Sequence, residues 1–187
     1  MSATNRGTKR RDNDFYPTPD DAINALLDAL PLRGGWRVLE PGAGSGNIVK
    51  ALRRYKGIHI DALEIREEER EHLEPLADRV IIGDYMTAKL EPYDMIIGNP
   101  PFSEAMAFVK RSLELVKPGG MVIFLLRTAF LESDARFEFW KDPGNQLAGL
   151  YTLHKRPSFT GKGTDATSYS WFVWQPGGDG KQTIKVI

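Results

Sequence analysis

The sequence predicts an α/β protein in which one doubly wound, mostly parallel sheet carries a reversed C-terminal edge strand. Two observations predict this fold class. Apolar segments of strand length alternate along the chain with helical patterns, which is typical of parallel sheets built from strand–helix–strand units. The last two apolar segments have no helix between them and are joined by the long loop Pro157–Thr167, which favours an antiparallel pair. Such sheets bind their ligands beyond the carboxyl ends of the strands.

The first helix is predicted from residues that favour a helix start. Thr18 is a good N-cap, Pro19 fits the first helical position, and Asp20 and Asp21 complement the helix dipole. Apolar residues then recur at helical spacing as far as Leu30, where the helix is expected to end.

The remaining elements follow from the alternation of apolar runs with amphipathic segments. The predicted strands are Trp36–Glu40, Ile58–Leu63, Arg79–Ile82, Tyr93–Gly98 and Met121–Leu126. The predicted helices are Asn47–Tyr55, Arg66–Leu76, Glu104–Val116 and Ala135–Trp140. The final pair consists of Leu150–Lys155 and Ser168–Trp174. Its alternating aromatic residues, Tyr169, Trp171 and Trp174, indicate core packing.

Size and composition indicate one globular domain. The chain has 187 residues, 41% of them hydrophobic, which suffices for a single core. We expect a basic flexible arm at 1–13, one domain at 14–176 and a short tail at 177–187. No apolar run reaches the roughly 20 residues that span a bilayer, so no membrane contact is predicted. The absence of cysteine excludes disulfides and thiolate metal sites and fits a cytoplasmic protein.

The charge balance constrains the kinds of partner. The 25 basic residues equal the 25 acidic ones, whereas proteins that bind nucleic acid through its backbone alone are usually more basic. Nucleic-acid binding therefore requires local patches, and the candidates are the N-terminal arm and Lys155-Arg156 with Lys162. The three scattered histidines lack the spacing of metal ligands, so no metal is predicted.

A glycine-rich turn follows the first strand and opens a helix. Gly42, Gly44 and Gly46 allow the backbone to turn tightly and to approach a ligand closely. The turn departs from the dinucleotide-binding pattern because Asn47 takes the third glycine position, so a purely structural turn stays open.

Acidic residues at three consecutive strand ends favour a ligand site. Glu64 ends the second strand, where a carboxylate can accept both hydroxyls of a ribose. Asp84 ends the third strand and could accept from an adenine amino group. Glu40, just before the glycine turn, would repel a pyrophosphate but suits a cationic sulfonium and amino group. The pattern therefore favours S-adenosylmethionine over a dinucleotide.

The segment Asn99-Pro100-Pro101-Phe102 follows the fourth strand and indicates the kind of group that the site binds. An amide, two prolines and an aromatic ring form a stiff platform with hydrogen-bond acceptors beside a flat surface. This arrangement suits a planar group that bears an amine, such as a nucleobase. The alternative is a rigid turn without a ligand.

Together, Val38–Gly46 and Asn99–Phe102 resemble the S-adenosylmethionine-dependent methyltransferases that act on amino groups. The likeness is strongest to the N6-adenine nucleic-acid enzymes, including small phage-type DNA adenine methyltransferases, and covers about residues 14 to 175. It implies a Rossmann-like methyltransferase domain, located in the host cytoplasm if a phage encodes it. It also implies cofactor contacts for Tyr16 and Thr18 at the methionine end, Glu64 at the ribose, Asp84 at the adenine, and Tyr85 or Met86 on its face.

The same resemblance predicts how the target amino group is held. Asn99 and the main-chain carbonyl of Pro100 would accept its two N–H groups, so that the nitrogen recovers its lone pair. Phe102 would stack on the base, and Phe159 would supply a second ring. Catalysis would then depend on positioning and oriented dipoles.

The predicted function is methylation of adenine N6 in DNA. RNA is the nearest alternative substrate, and the DNA preference depends on likeness across Phe15–Asp21 and Arg156–Trp174. Methylation of a protein glutamine also stays open, although related enzymes of that class typically carry Tyr at the place of Phe102. So does a non-catalytic nucleic-acid-binding subunit. Little of the chain is left for a target-recognition domain, so specificity is either short or supplied by a partner subunit or a structured RNA. No oligomeric state is predicted.

Overall fold

A computed structural model describes residues 17–30, 32–159 and 165–187. The thirteen longer elements alternate along the chain as the sequence predicts. The helices are α1 Asp20–Ala29, α2 Asn47–Leu52, α3 Arg70–Leu73, α4 Ala105–Leu115 and α5 Asp134–Lys141. The strands are β1 Arg37–Pro41, β2 His59–Glu64, β3 Arg79–Ile82, β4 Tyr93–Gly98, β5 Val116–Arg127, β6 Leu147–Thr152, β7 Tyr169–Trp174 and β8 Thr183–Val186. Short 3-10 turns precede α3 and surround α5.

All eight strands form one sheet in the order β3-β2-β1-β4-β5-β7-β6-β8. Strand β7 is antiparallel to both β5 and β6, and the other neighbouring strands are parallel. The predicted doubly wound, mostly parallel sheet is therefore confirmed. Its reversed strand lies in the C-terminal part of the sheet, inserted between β5 and β6. Strand β8 adds the outermost position, so the expected short tail at 177–187 contributes an edge strand.

The sheet separates two hydrophobic cores, because successive side chains of a strand point to opposite faces. Val38 of β1 packs with α1, α2 and α3 on one face, whereas its neighbour Leu39 packs with α4 and α5 on the other. Trp171, Trp174 and Tyr169 of β7 are all fully buried, which confirms the predicted core packing of that strand. Within the described ranges, no helix is long and apolar enough to cross a membrane.

Several predicted bounds are wrong: β6 begins three residues before the predicted Leu150, and α2 and α3 are shorter than the predicted helices. Two further errors have a physical reason. Helix α1 begins at Asp20 with Pro19 at the N-cap position, because the backbone carbonyl of Thr18 accepts a hydrogen bond from Asn47 instead. Strand β5 begins at Val116, several residues earlier than expected. Its extension is possible because Gly120 passes so close to β4 that a Cβ would lie 2.6 Å from the Asp94 carbonyl oxygen.

Candidate active site

A cleft of about 870 Å³, its open mouth included, lies at the carboxyl ends of β1, β2, β3 and β4. These ends coincide because the four strands are parallel and adjacent in the sheet. The cleft brings together most of the predicted site residues: Thr18, Glu40, Gly42, Gly44, Glu64, Asp84, Tyr85, Asn99 and Pro101. Pro100, Phe102 and Phe159 do not line it, and Tyr16 lies outside the described residues, as do the basic arm and Lys162.

The glycine turn adopts a backbone conformation that side chains disfavour. Gly42, Gly44 and Gly46 have φ angles of 70°, 57° and 84°, in the left-handed region. At Gly46 a Cβ would also lie 2.8 Å from a methyl carbon of Leu76, so a side chain there would have to displace Leu76. The Ala43 N–H donates to the Leu63 carbonyl at 2.9 Å and ties the turn to the end of β2.

Glu40 places a buried carboxylate between the glycine turn and α2. Its side chain is only 3% exposed, and one carboxylate oxygen accepts the Val49 N–H at 3.0 Å. Burial raises the pKa of Glu40 well above its usual 4.5, the bond from Val49 opposes that rise, and the nearby Glu64 adds to it. Since Glu40 already takes a helix-start N–H that a phosphate would use, the cleft favours a cation here.

Glu64 is oriented on both sides by protein donors. One carboxylate oxygen accepts the Gly44 N–H at 2.7 Å. The other accepts the main-chain N–H of Arg66 at 3.1 Å and its Nε–H at 2.9 Å, while the Arg66 guanidinium also pairs with Glu69 at 3.1 Å. A carboxylate has about four acceptor positions, so Glu64 keeps capacity for a hydroxyl donor in the cleft.

The end of β3 contributes one exposed acid and one anchored ring. Asp84 is exposed and accepts the Met86 N–H at 2.8 Å, which fixes its orientation at the cleft rim. The Tyr85 hydroxyl lies 2.8 Å from the Ser112 hydroxyl, and burial raises its pKa to about 12. The Tyr85 ring packs against Phe108 of α4 with 5.0 Å between ring centroids, so both residues form an apolar wall of the cleft.

Among the cleft residues that the sequence did not predict, three are informative. Ile65 is 55% exposed although it is apolar, and it lines the cleft directly after Glu64. An apolar residue after a strand-end acid is the signal that could have found it. Phe108 has no such signal, because it belongs to a regular amphipathic helix. The Asn47 side chain donates to the Thr18 carbonyl at 2.9 Å, and its departure from the glycine pattern was the available clue.

Asn99 follows β4 directly and lines the same cleft as the glycine turn. Strand β4 can approach β1 this closely because Gly98 has no side chain, and a Cβ there would lie 3.2 Å from the Pro41 carbonyl oxygen. The Pro101 carbonyl accepts the Glu104 N–H at 2.9 Å, which turns the chain into α4. The predicted catalytic segment thus begins in the same cleft as the predicted cofactor loop.

Phe102 and Phe159 meet in the structure, but edge to face rather than in parallel. Their ring centroids are 6.3 Å apart at an interplanar angle of 72°. Tyr169 contacts both rings, at 5.7 Å and 5.1 Å between centroids. The Arg127 guanidinium carbon lies 4.7 Å from the Phe102 centroid, over the ring. A base can enter between Phe102 and Phe159 only after one of these neighbours moves.

Comparisons with known proteins show which proteins this chain is similar to. No protein-family model matches the chain. A tRNA1(Val) (adenine(37)-N6)-methyltransferase of Tolumonas auensis is 34% identical over 65% of this chain and 59% of its own length. The type II methyltransferase M.CvrRI of Paramecium bursaria Chlorella virus XZ-6E is 30% identical over 58% of this chain and 30% of its own length. The chain thus spans less than two thirds of these curated relatives.

Among solved structures, the M protein of the type I restriction enzyme EcoKI superposes with a TM-score of 0.70 over 86% of this chain and 44% of that one. The sequence identity is 17%, so this likeness concerns the fold alone. The chain has the fold of the class I S-adenosylmethionine-dependent methyltransferases. The resemblance to the N6-adenine methyltransferases is confirmed by the relatives, while the closer likeness to small phage-type enzymes stays a prediction.

Proposed function

We propose that this chain binds S-adenosylmethionine in the cleft and methylates the N6 amino group of adenine in DNA. The observation that carries the proposal is that Asn99 and the glycine turn line one cleft. An amide acceptor for an amino group and a candidate site for a cationic methyl donor therefore lie in one cleft. The relatives named as adenine-N6 and type II methyltransferases support the same chemistry.

The cleft residues fit this cofactor. When bound, S-adenosylmethionine supplies a methyl group on a cationic sulfur. The buried carboxylate of Glu40 would neutralise the positive charge of its methionine end, with Tyr16 and Thr18 beside it. Glu64, already oriented by Gly44, would accept the ribose hydroxyls, and Asp84 would accept from the adenine amino group.

The apolar part of the cleft matches the remaining surface of the cofactor. Ile65 and Phe108, together with Tyr85, offer the flat apolar contact that an adenine ring needs. Tyr85 thus belongs to the predicted adenine pocket, and its anchored hydroxyl keeps the ring in place.

Asn99 and Pro100 would hold the target amino group. The side-chain oxygen of Asn99 and the main-chain carbonyl of Pro100 would accept its two N–H groups, so its lone pair points away from the base ring. Pro100 and Pro101 restrict the backbone of this segment, which holds both acceptors in position before the substrate arrives. Phe102 would fix the plane of the base by stacking, and the proton leaves to solvent after transfer.

The target base must leave the double helix, or be single-stranded, to reach this pocket. Phe159 would then turn from its edge-on position to cover the second face of the base. Lys155 and Arg156, both exposed, precede Phe159 on the same loop and would contact backbone phosphates. Target specificity would be short or supplied by a partner subunit, because the described chain leaves no separate unit for it.

RNA is the second candidate substrate because of one specific observation. The relative with 34% identity is named as a tRNA adenine-N6 methyltransferase. The viral relative, which is named as a type II methyltransferase, supports DNA as the first candidate substrate.

One labelling experiment separates the candidates. The protein is incubated with radiolabelled S-adenosylmethionine and, separately, duplex DNA, single-stranded DNA, ribosomal RNA, tRNA and a cell protein extract. The labelled product is digested and its modified residue identified. We expect N6-methyladenine in DNA. Label in tRNA or ribosomal RNA alone would move the proposal to the RNA candidate, and label only in protein would overturn both.

The variant Asn99→Ala tests the mechanism. Removing one oriented acceptor at the reacting group costs about 10²–10³ in turnover in comparable sites, so kcat should fall by that factor with cofactor affinity retained. Asn24→Ala, the same substitution on the exposed surface of α1, is the matched control and should keep full activity. Full activity of Asn99→Ala would contradict the assigned role.

A further inference from the structure

The ring of Phe102, which the proposed function uses to stack the target base, is already covered in the structure. Tyr169 and Phe159 contact it from the C-terminal part of the chain. Arg127 lies over the ring, with its guanidinium carbon 4.7 Å from the ring centroid. A flat base therefore needs one of these three side chains to give way.

Phe159 turns to cover the base in the proposed function, and burial distinguishes the two neighbours that remain. Tyr169 is 0% exposed, lies within β7, and its hydroxyl donates to Asp165 at 2.9 Å, so it is fixed in place. Arg127 is the last residue of β5, opposite Tyr169 in the sheet register, and its long side chain is exposed. The Arg127 Nε–H donates to the Tyr169 hydroxyl at 3.4 Å.

The energetic balance also favours exchange at this ring. A base stacked on an aromatic ring gains more than an exposed cation gains over the same ring. A displaced guanidinium could bind a phosphate, which accepts two of its parallel N–H groups. Lys155 and Arg156, on the loop that carries Phe159, add positive charge to the same surface.

We propose that Arg127 covers Phe102 in the free protein and moves to a backbone phosphate of the nucleic acid when the target adenine takes its place. This inference depends on the proposed function, and it makes Arg127 a substrate-binding and positioning residue. Arg127 would thus cover the ring of Phe102 until the substrate binds.

Salt dependence of binding tests the inference, because a purely structural clamp on Phe102 would not change it. Affinity for a fluorescently labelled single-stranded DNA oligonucleotide and for a tRNA transcript is measured between about 50 and 200 mM salt. Arg127→Ala should weaken binding about tenfold and reduce the slope of log Kd against log salt by about one. Arg127→Lys keeps the charge and should keep the slope. If Arg127→Ala does not fold, Arg127→Gln is measured in its place.

Two controls separate this inference from the proposed function. Arg70→Ala removes a cation from α3 whose side chain is 40% exposed, and should leave both affinity and slope unchanged. A wild-type protein that methylates neither DNA nor RNA would overturn the proposed function. Wild-type activity combined with unchanged affinity and slope in Arg127→Ala would overturn this inference alone, and so would a fall in kcat alone. A slope change with the tRNA but not with the DNA would assign Arg127 to RNA.

Discussion

Buried carboxylates lie at both ends of the central strands, and the two ends differ in what surrounds them. At the amino ends, Asp61 of β2 is 0% exposed and is enclosed by protein groups. It accepts hydrogen bonds from the Arg37 guanidinium at 2.8 Å and from the Tyr93 hydroxyl at 2.6 Å, and His59 Nε2 lies 3.0 Å away. Burial, with help from Asp61, raises the pKa of Tyr93, so its hydroxyl stays a donor.

At the carboxyl ends, Glu40 and Glu64 are almost as deeply buried, yet both line the cleft. The donors of Glu40 and Glu64 come largely from the backbone, at Val49 and Gly44, and leave acceptor capacity toward the cleft. Burial alone therefore does not identify a functional acid. The distinction is whether the acid is enclosed by its partners or is held by them toward a cavity.

The largest expected effect comes from the enclosed acid. Asp61→Ala leaves the half-buried Arg37 and the buried Tyr93 without their acceptor, so the free energy of unfolding should fall by about 3–5 kcal/mol. Urea denaturation measures it. Asp28→Ala removes an acid that is 73% exposed in its pair with Arg54, and should change stability by less than about 1 kcal/mol.

Cofactor affinity tests whether the network at the amino ends of the strands affects the cleft at their carboxyl ends. The Asp61→Ala protein that remains folded should bind S-adenosylmethionine as the wild type does, because the cleft lies at the opposite strand ends. A loss of affinity in the folded fraction would show that the amino-end network shapes the cleft, and the comparison would fail.

The fold was predictable where local pattern and burial agree. Strands β1 to β4 were located to within about a residue, because buried parallel strands form apolar runs that glycines, prolines and charges interrupt. The early start of β5 was not predictable, since Val116 pairs with Tyr93 of β4 and the residues after it bond to a segment that follows β7. The Gly119 N–H donates to the Pro176 carbonyl at 2.6 Å, across 57 positions of the chain. No local pattern shows such a pairing.

The candidate site was likewise predictable only in part. Glu40, Glu64 and Asp84 were found because parallel strands place their carboxyl ends at one edge. The Asp61 network was missed, because its partners at Arg37 and Tyr93 are 24 and 32 positions away. The cluster around Phe102 was seen only in part. The insertion of β7 beside β5 brings Tyr169 opposite Arg127, and a hairpin pattern does not reveal that insertion.

The next largest effect concerns the acid held toward the cleft. Glu40→Gln removes the charge that would face the cationic end of the cofactor, so affinity for S-adenosylmethionine should fall about 10- to 100-fold, as for other hydrogen bonds to charged groups. Isothermal titration measures it. Glu68→Gln, an exposed acid in the 3-10 turn before α3, should bind normally.

The pH dependence of stability should differ between the wild type and Glu40→Gln. The pKa of Glu40 is raised in the folded state, so the contribution of Glu40 to stability is fully present below its usual value of 4.5 and is lost as the pH rises through the raised value. Glu40→Gln should lack this loss and become the more stable protein at high pH. Cofactor affinity should rise with pH over the same window in the wild type only. Parallel stability curves for the two proteins would contradict the role of Glu40.

The smallest expected effect tests how the segment before α1 is held. The Asn47 side chain donates to the Thr18 carbonyl at 2.9 Å, and the Asn145 side chain donates to the Phe139 carbonyl at the same distance, away from the cleft. Replacing either residue with Ala should cost about 1 kcal/mol of stability. Only Asn47→Ala should also weaken cofactor binding, by about fivefold, because it releases Thr18 from the methionine end. Equal affinities in the two variants would show that the bond from Asn47 stabilises the fold without serving the cleft.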